Sequence, residues 1–91
     1  MYRIFHRFPI IPKFYGIIIK MYFFGSEHNP LHVHVIFGEY IGVINIRTLA
    51  ILHGELPDKA YRLAKEWVTI YQNELLNMWE TQNIHHLPPM K

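Results

Sequence analysis

Three of the seven histidines in this 91-residue chain fall at positions 28, 32 and 34, inside the stretch SEHNPLHVHV (26–35). Histidine titrates near neutral pH and, when neutral, ligates transition metals, so the cluster admits two chemistries. The first is proton transfer on RNA. Cleavage through the 2′-hydroxyl needs a base, an acid and cations that stabilise the phosphorane. His32 and His34 are the candidate base and acid, Lys20 and Arg47 the candidate phosphate-neutralising cations, and Tyr22 a candidate platform for an unpaired base. His28 and Asn45 are candidate supporting residues. The second chemistry is metal binding, in which His28, His32 and His34 would ligate zinc or nickel, with Glu27 or His53 as a fourth ligand. Outside that alternative, no cofactor is expected.

The elements that must position these residues follow from periodicity. Residues 14–23 read as a strand with Tyr15, Ile17, Ile19, Met21 and Phe23 facing inward. The polar segment GSEHNP then forms a loop. A second strand at 31–37 turns Leu31, Val33, Val35 and Phe37 inward and leaves His32, His34 and Ile36 on the other face. Gly38-Glu39 is a two-residue connection with glycine first, the pattern of a type II′ hairpin turn. That turn sets Phe37 opposite Tyr40, Val35 opposite Gly42 and Val33 opposite Ile44, and it places His34 beside Val43 and His32 beside Asn45.

Residues 48–56 admit a short fourth strand ending at Gly54. From Pro57, suited to the first turn of a helix, a period of 3.6 runs to about Glu80. Its apolar stripe is Ala60, Ala64, Trp67, Tyr71, Leu75 and Met78. Trp67 and Trp79 are expected in core or rim packing, and the tail TQNIHHLPPMK is expected to be extended or frayed. The fold class is therefore α+β: an antiparallel sheet of three to four strands with one long C-terminal helix packed on one face. Residues 1–91 form one domain, with a core at about 12–80 and extensions at 1–11 and 81–91.

On this layout the histidines share the uncovered face with Ile18, Ile36, Ile41 and Val43. An apolar patch of that kind on a small domain marks a protein partner or a homo-oligomer surface, and it gives a third, non-enzymatic possibility. Composition narrows the rest. The 51% hydrophobic and 18% charged residues suit a folded domain, and a net charge of +2 makes RNA affinity a matter of local charge only. There is no cysteine, which excludes thiolate sites and fits the cytoplasm. The apolar stretch 14–24 is interrupted by Lys20 and too short to span a bilayer as a helix, so no membrane association is expected. No nucleophile triad, glycine-rich phosphate loop or pair of catalytic acids is present.

The stretches FYGIIIKMYF, EHNPLHVHV, YIGVINI and GELPDKAYRLAKEWVTIYQNELLNMWE resemble a bacterial family, the domain of unknown function family four-one-six-zero. Glu27-His28-Asn29-Pro30 followed by His32 and His34 is the most specific part of the likeness, and the helix that begins LP and carries EW supports it. One departure is Asn45, where many members carry an aspartate. The resemblance implies a short protein encoded beside a second small gene, as in toxin–antitoxin pairs. It implies no established activity. A sheet-then-helix order is also similar to that of small ribonuclease toxins that carry a histidine on the sheet. The resulting expectation is a small bacterial toxin–antitoxin-like component that binds or cleaves RNA through histidines on the open sheet face.

Overall fold

The computed structural model describes residues 10–21, 31–81 and 85–90. Among them are five strands: β1 (Ile10–Phe14), β2 (Ile17–Lys20), β3 (His32–Phe37), β4 (Tyr40–Asn45) and β5 (Ile51–Gly54). They pair in chain order, each antiparallel to the next, as one meander. Two helices follow, α1 (Asp58–Ile70) and α2 (Gln72–Thr81). The α+β class and the antiparallel sheet are as expected, while the element count differs in two places, each for a local reason.

The first difference is at the start. The chain reverses at Tyr15-Gly16, and Phe14 pairs with Ile17 across a two-residue turn. Both turn residues have positive φ, 49° and 78°, the requirement of a type I′ connection. Tyr15 is thus 58% exposed and not in the inward set, whereas Ile17, Ile19 and Met21 are fully buried as expected. A tyrosine in the first turn position hides the turn, because the usual signal there is asparagine or aspartate before glycine. Phe23 lies outside the described residues.

The second difference divides the long helix at Tyr71, whose φ of −106° and ψ of 22° leave helical values. Tyr71 N still donates to Trp67 O, and Leu75 N to Tyr71 O, so helical hydrogen bonding crosses the interruption. Just past it, the Gln72 side-chain amide donates to Ile46 O at 2.7 Å and to Arg47 O at 3.3 Å, carbonyls that follow β4. The apolar stripe survives it: Ala60, Ala64, Trp67, Leu75 and Met78 are buried, joined by Val68. Tyr71 is only partly buried against the core.

The core lies between these helices and the sheet face that carries Ile17, Ile19, Val33, Val35 and Ile44. The β3–β4 hairpin has the expected register in every pair, from Phe37–Tyr40 to His32–Asn45. Gly38 takes a φ of +60° at its turn. Residues 85–90 of the tail, expected to be extended or frayed, carry no helix or strand but pack on the core. Leu87 is buried in the core, and the Trp67 indole N–H donates to Pro88 O at 2.8 Å. A fully buried indole needs an acceptor, and the tail backbone supplies it.

Candidate functional site

Strand alternation turns His32, His34 and Ile36 away from the buried Val33 and Val35. The neighbouring strands then build rows across that face. Lys20 of β2 sits opposite His34, which sits opposite Val43 of β4, and His53 of β5 completes the row. Asn45 lies opposite His32. The His32 and His34 rings meet edge to face, with centroids 5.2 Å apart and planes inclined at 64°. Beside these polar rows runs an apolar one, Ile18–Ile36–Ile41, in which Ile41 is 54% exposed.

The environment gives His34 a distinct character. Its Nδ1 is buried, and its pKa falls from the ordinary 6.5 to about 4. Burial is the largest cause, followed by the nearby His32 and then Lys20, each of which disfavours a second positive charge. At neutral pH the ring is uncharged and one of its nitrogens carries a lone pair. Asn45 shapes the turn after β4, where its Oδ1 accepts from Arg47 N at 2.7 Å and from Thr48 N at 3.0 Å. That turn holds the exposed Arg47 in the corner of the sheet where His32 begins β3.

Of the candidate residues, Lys20, His32, His34 and Asn45 are therefore neighbours, and Arg47 is tied to Asn45 through its backbone. Tyr22 and His28, and Glu27 with them, lie outside the described residues. For the metal alternative, His53 is two strand spacings from His34, with Val43 between them. Among the described residues no group of three histidines or acids could hold a metal. A groove of about 520 Å³ lined by Tyr15, Phe37, Leu63 and Met90 contains none of the candidate residues. The sheet face, although flatter, is where the titratable groups converge.

One neighbour has no signal in the sequence. Trp79 of α2 brings its ring centroid to 5.3 Å from that of His32, with the planes at 60°. Its helical offset of four from Leu75 marks the edge of the apolar stripe, but no spacing links it to a strand residue 47 positions earlier.

No helix among the described residues is long and apolar enough to cross a membrane. No curated protein and no solved structure matches the chain. A family model, described as domain of unknown function (DUF4160), matches residues 16–80, a span that opens in the first turn and contains β2 to β5, all of α1 and nearly all of α2. By that match over most of its length, the chain belongs to the DUF4160 family.

Proposed function

We propose that this protein is a small cytoplasmic RNA-binding domain with slow RNA-cleaving capacity, acting as one component of a bacterial toxin–antitoxin-like pair. The gene-pair part of the reading comes from the family resemblance. The RNA part is carried by one observation: a neutral, half-buried His34 lies between a cation, Lys20, and a second histidine. A neutral imidazole can accept a proton, and a histidine beside it can return one to a leaving group. His34 takes the proton from the 2′-hydroxyl, the freed oxygen forms a bond to phosphorus, and the P–O5′ bond breaks. His32 gives its proton to the departing 5′-oxygen, while Lys20 and Arg47 offset phosphorane charge. A base with a pKa near 4 is weak at neutral pH, so turnover is expected to be slow.

The test is degradation and binding of single-stranded RNA by the wild type and His34→Ala. Loss of the base should lower cleavage by about 100-fold with binding largely kept. Equal cleavage by the two proteins would remove the catalytic assignment.

A second reading is favoured by the row Ile18–Ile36–Ile41, which supports a non-enzymatic subunit that joins a protein partner or a second copy through the same face. The metal reading rests on His32 and His34 with His28, the last of which lies outside the described residues.

A further inference from the structure

The division of the helix at Tyr71 has a counterpart on the sheet. Gln72 fixes the start of α2 against the carbonyls of Ile46 and Arg47, at the end of β4. The start of β3 lies at the same corner, since Ile46 N donates to Leu31 O at 2.9 Å and His32 pairs with Asn45. From that anchor α2 runs with Leu75 and Met78 in the core, and the next residue, Trp79, sets its ring against His32.

We propose that Trp79 is a positioning residue for His32. The His32 ring has a broad choice of χ2, and a strand's first residue is the least constrained by its own strand. Contacts with His34 at 5.2 Å on one side and Trp79 at 5.3 Å on another set the plane of the imidazole. The indole is itself held by its place beside the buried Met78, so the orientation of His32 is referred to the core and not to solvent. This inference rests on the RNA reading, in which His32 must aim a proton at a leaving oxygen. A displacement of about 1 Å in such a group costs on the order of 100-fold in rate.

The experiment compares wild type, Trp79→Leu and Trp79→Phe by NMR of the histidine rings and by turnover of a single-stranded polyuridine. The wild type should show a nuclear Overhauser contact between the Trp79 indole and the His32 imidazole. Trp79→Leu should shift the His32 ring resonances while leaving those of His53 in place, and should lower kcat about tenfold with RNA affinity unchanged. Trp79→Phe should recover most of that loss. Absence of the contact in wild type, or His32 resonances unmoved in Trp79→Leu, overturns the proposal. A uniform shift of all histidines with lost affinity would also overturn it, since that is the mark of a general packing defect. If Trp79→Leu does not fold, the wild-type contact and the Trp79→Phe spectrum still decide. A wild type that turns over no RNA defeats the functional reading separately, because the ring contact is measured without RNA.

Discussion

Burial sets the proton affinity of His34, and that has a consequence for stability. The unfolded imidazole titrates near 6.5, the folded one near 4. Between those values the unfolded chain holds the proton more tightly, so acid favours unfolding. The contribution of a neutral His34 is therefore complete above about pH 6.5, declines as the pH falls towards 4 and changes no further below it. Because the ring is only half-buried, the loss is on the order of 1 kcal/mol, well under the full linkage value. Urea unfolding at pH 7 and pH 4.5 should show wild type losing that much more than His34→Gln, all other titrating groups being common to both. Equal losses would mean that the imidazole keeps its ordinary affinity. The placement of His34 was legible from alternation and the Gly38-Glu39 turn, both local. Its neutrality was not, since desolvation sums over atoms from several strands.

At the scale of elements, turns decide how the face is built. Gly54 closes β5 at a φ of +77°, and a Cβ there would collide with the Ile41 carbonyl oxygen. That close approach lets Glu55 N donate to Ile41 O at 3.1 Å and holds β5 against β4. Gly54→Ala should cost about 2 kcal/mol or more, measured by thermal or urea unfolding, with hydrogen exchange in β5 accelerated most. A change within about 0.5 kcal/mol would show that the strand end tolerates a side chain. Gly54 was readable as a strand end because it follows a β-branched start and precedes Pro57. The Tyr15-Gly16 turn and the bend at Tyr71 were not. Alternation counts only inward and outward positions, and helical periodicity is insensitive to a single residue that leaves the stripe in phase. Both elements were reshaped by partners elsewhere: Ile17 by its pairing with Phe37, Gln72 by the carbonyls after β4.

For the molecule as a whole, one sheet face is covered by helices and the tail, while the other combines an apolar row with a polar one. If a protein partner shares that face, the wild type should sediment as a dimer or capture its partner, and Ile36→Asp should abolish this at little cost in melting temperature. Ile36 is only partly buried, so a loss of association with the fold intact is expected to be clean. A wild type that stays monomeric and partnerless, with Ile36→Asp indistinguishable from it, would leave the face to RNA alone. The sequence by itself determined the α+β class, the hairpin register and the shared face of His32 and His34, because these follow from turn chemistry and side-chain period over neighbouring residues. Tertiary structure alone decided that Leu87 and Pro88 complete the core around Trp67, that Trp79 meets His32, and that His34 is held neutral. Each of these joins groups far apart in the chain, and their proximity is created by burial of a common core, which no local pattern encodes.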